Sequence, residues 1–169
     1  ERIRQAVPGA RVNGIAADLA ANGGVAHLLE QVPAVDILVN GYADTGAKML
    51  AEVSAADWDS ILHNNLATTS AISTHYLSGM LQKGWGRIVF VSSDLALRPL
   101  PYMVAYAAAK MAQLSLARGL AEMTAGLEVT VNAVMPGFTQ TERTESILRS
   151  TADRHGIPFE QFMHDYFRD

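Results

Sequence analysis

Arg87-Ile88-Val89-Phe90-Val91-Ser92-Ser93 contains a continuous apolar run, Ile88–Val91, that two serines follow. Ile88–Val91 lacks the polar alternation of a strand with one face in water, which predicts a strand buried on both faces. Such strands belong to parallel sheets that helices cover. Ligands of open α/β sheets bind at the carboxyl ends of the strands, so Ser93 is a candidate site residue whose hydroxyl can polarise a carbonyl. A serine at this position can equally cap a turn or a helix.

Outward from this run, β-branched segments alternate with helical patterns. The predicted strands, in chain order, are Val12–Ala16, Asp36–Asn40, Arg87–Ser92 and Val129–Val134. One long helix is predicted to begin at Ser54, with Asp57 completing a capping box, and to end at Gly84. A second helix is predicted over Met103–Met123. We therefore expect one α/β domain over residues 1–169, a Rossmann-like doubly wound parallel sheet with helices on both faces.

The composition excludes several classes of function. The chain has 169 residues with a formal charge of −4, and no basic block, so neither nucleic acid nor a membrane is an expected partner. Its longest apolar runs are far shorter than the ~20 residues that cross a bilayer. It has no cysteine and no signal-peptide pattern, which favours a cytoplasmic protein. The five histidines form no pair at metal-ligand spacing, so no catalytic metal is expected.

Tyr106 and Lys110 are four residues apart in the second predicted helix, so they project from the same face. Free tyrosine has a pKa near ~10, and a neighbouring cation favours the phenolate. The pair is therefore a candidate proton donor. On its own the pair is weak evidence, because tyrosine and lysine at this spacing are common on ordinary helices.

Further polar residues follow predicted strands or interrupt a helix. Asp18 and Asn40 come at or after the ends of two strands, as Ser93 does. Asn64 and Asn65 lie in the middle of the first long helix, where asparagine competes for backbone hydrogen bonds, so a kink or a buried site is expected. A tight turn, Pro136-Gly137, ends the last predicted strand, and Thr139 and Thr141 follow it.

The order of these motifs resembles that of the short-chain dehydrogenase/reductases. The motifs are Asp18-Leu19, Asn40 at a strand end, Asn65 within a helix, Ser92-Ser93, Tyr106-x-x-x-Lys110 and Asn132-x-x-x-Pro136-Gly137-x-x-x-Thr141. The resemblance covers Val12 to Thr141. It implies an NAD- or NADP-dependent oxidoreductase that interconverts a secondary alcohol and a ketone, with a 3-oxoacyl carrier-protein reductase as the nearest guess. The family also implies a homodimer or homotetramer and a small carbonyl or alcohol substrate.

The resemblance also implies roles for individual residues. Tyr106 would be the general acid, Ser93 would bond the substrate oxygen, and Lys110 would bind the nicotinamide ribose and lower the pKa of the tyrosine. Asn65 would hold a water of the proton relay. The remaining cofactor-binding positions would be Asp18, Leu19, Asn40, Gly41, Pro136, Gly137, Thr139 and Thr141.

Two departures from the family pattern stand against this interpretation. Asn40-Gly41-Tyr42-Ala43 replaces the usual Asn-Asn-Ala-Gly, so a bulky ring stands near the adenosine side. No G-x-G-x-x-G fingerprint occurs, so the chain is expected to lack the glycine-rich first βαβ unit of the family. No strand pattern follows Val134, so it is also expected to lack the family's C-terminal end. The alternative is a truncated or repurposed member of the fold that binds a ligand or partner without redox chemistry.

The tail after Thr141 carries a second expectation. Phe159, Phe162, Met163, Tyr166 and Phe167 recur at helical spacing and predict an amphipathic helix. By resemblance, residues 142–169 form the lid over the substrate, and an aromatic stripe there would suit a bulky or apolar substrate. Ordinary core or subunit packing explains the same pattern.

Overall fold

The computed structural model describes residues 2–139 and 141–166 and divides the chain into two compact units, Glu1–Met135 and Pro136–Asp169. The first unit contains a parallel sheet of three strands in the order β1-β2-β3. These strands are β1 (Ile37–Asn40), β2 (Trp85–Val91) and β3 (Glu128–Val134). The α/β class with a parallel sheet is confirmed. The central strand β2 is the apolar run from which the fold was predicted.

Helices connect the strands. The first unit contains α1 (Arg2–Ala6), α2 (Gly24–Gln31), α3 (Ala55–Leu62), a π-helix (His63–Ala67), α4 (Thr68–Lys83), α5 (Val104–Met123) and 3-10 turns at Leu50–Glu52 and Asp94–Ala96. The second unit contains α6 (Glu142–His155) and α7 (Phe159–Tyr166). Within the described part of the chain, none of the helices is long and apolar enough to cross a membrane.

The predicted start and end of the first long helix are confirmed by their caps. The Ser54 hydroxyl accepts a hydrogen bond from the Asp57 N–H, and the Asp57 carboxylate accepts one from the Ser54 N–H, which completes the capping box. Gly84 ends α4 in the left-handed conformation, with φ of 75°, which glycine adopts without a steric penalty. Local chemistry therefore sets where these helices begin and end.

One predicted strand is wrong. Val12–Ala16 forms no strand, and apart from the half-buried Val12 its residues are exposed. A strand needs a neighbour for its backbone groups, and no strand within the described residues pairs with this segment. The β-branched residues of this segment favour an extended backbone, but none of the described strands pairs with it.

The core lies between one face of the sheet and helices α4 and α5. Ile88 and Phe90 are fully buried, while the alternate residues of β2 are half-buried. The helices contribute Ile72, Tyr76, Leu77, Met80, Ala117 and Leu120 to the same cluster. Burying each large apolar side chain stabilises the fold by roughly 1.5–3 kcal/mol. This packing fixes α4 and α5 against the sheet, so it also fixes the polar groups that they carry.

Candidate active site

Ser93 and Tyr106 meet beyond the carboxyl end of β2. Ser93 is buried and begins the 3-10 turn, where its hydroxyl accepts from the Leu95 N–H at 3.2 Å and donates to the Asp94 carboxylate at 3.3 Å. Its capping role is therefore real. The same hydroxyl interacts with the Tyr106 phenol, so the two predicted site residues are brought together.

The surroundings of Tyr106 favour its protonated form. Burial raises the pKa of the phenol above its ordinary value, the hydrogen bond with Ser93 lowers it, and the Asp94 charge raises it again. The net direction is upward, which is opposite to the lowering expected from Lys110. Desolvation dominates because Tyr106 is only 9% exposed.

Lys110 is buried beside Tyr106, with 1% of its surface exposed. Its ammonium lies 5.6 Å from the centroid of the Tyr106 ring and donates to the Val91 carbonyl at 2.8 Å and to Gln113 Oε1 at 3.1 Å. Burial removes water from the Lys110 ammonium and lowers its pKa to about 8. Both of its acceptors are neutral, so neither supplies a negative charge that would oppose this shift. The lysine is thus held by the core rather than extended into solvent.

Asn65 lies within the π-helix that separates α3 from α4, where the paired asparagines predicted a kink or a buried site, and both asparagines are buried. Its side chain is fully buried and donates to the carbonyls of Asp44 and Ile61, each at 2.9 Å. The backbone carbonyl of Asn65 accepts from the Thr69 hydroxyl at 2.8 Å and from the Gln113 amide. A π turn widens the helix and lets side chains reach carbonyls that an α-helix would occupy.

Asn40 ends β1 and is buried. Its amide donates to the Ser73 hydroxyl at 2.8 Å, and that hydroxyl donates to the Thr69 carbonyl at 2.7 Å. Gly41 follows in the open, with no atom near the position of a Cβ. Asn40 therefore ties the end of β1 to α4.

The predicted adenosine side places Tyr42 near two carboxylates. Burial raises the pKa of Tyr42, and the charges of Asp18 and Asp44 raise it further. The Asp18 carboxylate accepts from the Ala20 N–H at 3.0 Å, so it also stabilises a turn. Leu19 packs against the main core cluster. The cofactor-binding roles of Asp18 and Leu19 stay predictions.

The remaining predicted residues lie in the second unit. Pro136 and Gly137 are exposed, and the Thr139 hydroxyl donates to the Gly137 carbonyl at 3.2 Å. Thr141 is the N-cap of α6 and accepts from the Thr144 N–H at 3.1 Å. In α7, the Phe159 ring lies 4.0 Å from the Arg149 guanidinium. Phe167 lies outside the described residues. The lid role of residues 142–169 stays a prediction.

Sequence reasoning missed Gln113, Asp44 and Asp94. Gln113 is fully buried and bonds both Lys110 and Asn65, while Asp44 supplies the backbone that Asn65 holds. A glutamine three residues after Lys110, in a helix rich in alanine and leucine, is the one signal that would have indicated a buried polar contact. Within the described residues, no three acidic or histidine side chains form a group that could hold a metal ion.

Residues 1–152 match the short chain dehydrogenase family. The chain belongs to this family. Its relatives include the uncharacterized oxidoreductase YvrD of Bacillus subtilis (strain 168), which is 39% identical over 160 residues, 93% of this chain and 61% of the relative. The 3-oxoacyl-[acyl-carrier-protein] reductase FabG of Aquifex aeolicus (strain VF5) is 31% identical, over 80% of this chain and 56% of the relative.

Solved structures of short-chain dehydrogenases share the fold. A crystal structure of F189W actinorhodin polyketide ketoreductase with NADPH superposes with a TM-score of 0.73 at 27% identity, covering 86% of this chain and 58% of that one. The chain thus spans between 56% and 61% of the length of these three proteins. The family and the fold are established at this coverage, and the activity of the whole protein is a matter for proposal.

Proposed function

We propose that this chain is the catalytic part of an NAD- or NADP-dependent oxidoreductase that interconverts a secondary alcohol and a ketone. One observation carries the proposal: the Lys110 ammonium lies 5.6 Å from the centroid of the Tyr106 ring and bonds the last carbonyl of the central strand, beyond which Ser93 begins the 3-10 turn. Ligands of open α/β sheets bind at this end. Two relatives are named an oxidoreductase and a 3-oxoacyl-[acyl-carrier-protein] reductase, which supports the proposal.

The protonation state of Tyr106 suits reduction of a carbonyl. Because its pKa is raised, the phenol keeps its proton at neutral pH and can donate it to the oxygen of a ketone. Ser93 would hydrogen-bond the same oxygen and orient it. In the reverse direction Tyr106 would take the proton of the alcohol.

The donor set of the site fits a nicotinamide nucleotide. An ammonium and a phenol side by side can bond the hydroxyls of a ribose, and Lys110 has three N–H donors, of which two bond the protein. When bound, the nicotinamide supplies or accepts the hydride. Tyr106 and Lys110 would hold its ribose, Asp18 and Leu19 would line its adenine site, and Asn40 would fix the strand end beside it. The NADPH-bound ketoreductase relative supports this assignment.

Substrate class and assembly form the finer part of the proposal. Similarity to FabG supports a 3-oxoacyl thioester or a related small ketone as substrate. A homodimer or homotetramer is proposed from family membership and from the exposed apolar residues of α5, Met111 and Met123, which are 41% and 61% exposed. Burying such residues against a second subunit would be favourable.

The test compares Tyr106→Phe with Tyr102→Phe in the intact protein. Tyr102 is an exposed tyrosine of the preceding loop and serves as the matched control. We expect Tyr106→Phe to lower the rate at which acetoacetyl thioesters are reduced by ~100-fold or more, the usual effect of losing a proton donor. The melting temperature should stay within a few degrees of the wild-type value. Full activity of Tyr106→Phe, or no nicotinamide oxidation by the wild-type protein with any carbonyl offered, would overturn the proposal.

A further inference from the structure

Gln113 is a fully buried amide in the middle of α5, with none of its surface exposed. Polar side chains are rarely buried without hydrogen bonds, because leaving water is costly. Gln113 Oε1 accepts from the Lys110 ammonium at 3.1 Å. Its Nε2 donates to the Asn65 carbonyl and, at 3.4 Å, to the Thr69 hydroxyl. The amide therefore bridges α5 to the π-helix.

The orientation of this amide is determined by its neighbours. An ammonium has only donors and a backbone carbonyl has only acceptors. The Gln113 oxygen must therefore face Lys110, and its NH₂ group must face Asn65. A flipped amide would oppose donor to donor and acceptor to acceptor. Gln113 thus bridges the two groups: its oxygen accepts from the Lys110 ammonium, and its NH₂ group donates to the Asn65 carbonyl.

The Gln113 amide is one of two groups that fix the position of the Lys110 ammonium. Within the described residues this ammonium bonds two acceptors, the Val91 carbonyl and Gln113 Oε1. Val91 fixes the ammonium relative to the central strand, and Gln113 fixes it relative to the π-helix. With two N–H groups bonded in this way, the direction of the third is set.

We propose that Gln113 is a positioning residue of the active site: its amide anchors the Lys110 ammonium to the π-helix and so fixes the lysine beside Tyr106. This inference rests on the proposed oxidoreductase function. Gln113 acts only through Lys110 and contacts neither substrate nor cofactor.

A purely structural role, in which Gln113 only joins α5 to the π-helix, makes a different prediction. Under that role, substitutions change stability but leave the titration of Lys110 unaltered. Under the positioning role, the pKa of Lys110 follows the group at position 113. Gln113→Met removes the acceptor at nearly constant volume and disfavours the ammonium, whereas Gln113→Glu offers a carboxylate and favours it.

Burial, and not a charged neighbour among the described residues, lowers the pKa of this lysine. Tyr106 lies on α5 itself, and Asp94 follows β2, where its charge acts on Tyr106. His63, the titratable residue of the π-helix, is exposed. Asn65 and Thr69 present neutral groups. A shift in the titration of Lys110 on substitution of Gln113 therefore reports on the contact between the two.

The experiment titrates the lysine Cε signals by NMR in the intact protein labelled with ¹³C-lysine. This chain has three lysines, Lys48, Lys83 and Lys110, and the Lys110 signal is assigned by its loss in Lys110→Arg. We expect the Lys110 pKa to fall by about one unit in Gln113→Met, as for a lost hydrogen bond to a charged group, and to rise in Gln113→Glu. Gln82→Met, at an exposed glutamine of α4, should leave it unchanged.

Kinetics complete the test. The alkaline limb of the kcat profile should move with the Lys110 pKa, downward in Gln113→Met and upward in Gln113→Glu, and kcat of Gln113→Met should fall by about tenfold. Opposite shifts in the two variants support the proposal. An unmoved Lys110 signal, or a moved signal with an unmoved kcat profile, overturns it. If the wild-type protein does not turn over, the proposed function fails, while the NMR arm still shows whether Gln113 holds Lys110.

Discussion

Asn65 holds the backbone of Asp44 by two hydrogen bonds: its Nδ2 donates to the Asp44 carbonyl at 2.9 Å, and its Oδ1 accepts from the Asp44 N–H at 3.3 Å. The Asn65 amide thus pairs with the Asp44 N–H and carbonyl as the backbone of a neighbouring strand would, and it holds the loop after β1. The π-helix and this loop are therefore joined through one side chain. Substitution of that side chain should affect both.

We predict that Asn65→Asp destabilises the protein by about 1–3 kcal/mol, since the lost NH₂ group leaves carbonyls unpaired and faces them with a carboxylate. The free energy of unfolding in urea measures this. Asn132→Asp, at an exposed position of β3, is the control and should change it by less than about 0.5 kcal/mol. Equal stability of Asn65→Asp and the wild type would show that the loop at Asp44 does not depend on these two hydrogen bonds.

Asp94 should set the pH range in which Tyr106 works. Its negative charge raises the pKa of Tyr106, so Asp94→Asn should lower that pKa. Reduction needs the protonated phenol, so the higher of its two alkaline pKa values, the one that follows Tyr106 rather than Lys110, should move to lower pH. Oxidation of the alcohol needs the phenolate and should extend further into acid. The pH profiles of kcat in both directions check this. Asp59→Asn, on the exposed surface of α3, should leave both profiles in place.

Lys110 should make stability depend on pH above about 8. Its pKa is lowered from 10.5 to about 8 in the folded state, so between these values the unfolded chain binds more protons and stability rises with pH. The cost of burying the ammonium is present in full below about pH 8. Each unit of pKa difference corresponds to about 1.4 kcal/mol.

Lys110→Met should abolish this rise. Urea unfolding at pH 7, 8, 9 and 10 should show the wild type gaining stability relative to the variant, whereas Lys83→Met, at an exposed lysine, should keep the wild-type slope. If the free energy of unfolding changed with pH in the same way for the wild type and Lys110→Met, the burial of this lysine among neutral acceptors would be contradicted.

Gly86 should tolerate no side chain. A Cβ at this position of β2 would lie 2.4 Å from the Met80 Cγ and Sδ atoms. Gly86→Ala should therefore destabilise the core by about 1–3 kcal/mol through overpacking. Gly119→Ala, in α5 with open space around it, should instead stabilise the protein by about 0.5–1 kcal/mol. Melting temperatures shifted in the same direction would contradict the tight approach of α4 to β2.

Local signals in the sequence predicted most of the framework. The Ser54 and Asp57 capping box, the Gly84 stop and the apolar run Ile88–Val91 each act within a few residues, so the sequence shows them directly. Val12–Ala16 failed because a strand depends on a partner, and β propensity does not supply one. Asn64 and Asn65 predicted a kink or a buried site, and the structure places both, buried, in the π-helix.

The site was predicted less completely, because distant contacts determine it. Ser93 was predicted from its place at the end of the apolar run and Tyr106 from its spacing to Lys110, and the structure brings the two near each other. Gln113 meets a carbonyl 48 residues earlier in the chain, and its three-residue spacing from Lys110 is the one local sign of a buried polar contact. The upward direction of the Tyr106 pKa depends on burial, which the four-residue spacing to Lys110 does not indicate.

Strand β1 has a consequence for handling the protein. Ile37 and Val39 are 58% and 60% exposed, and within the described residues β1 has a neighbour on one side only, strand β2. An apolar strand with open backbone groups is a template for extended segments of other molecules. This chain, expressed by itself, should therefore self-associate and precipitate as its concentration rises, and a charged residue at position 37 or 39 should keep it dispersed.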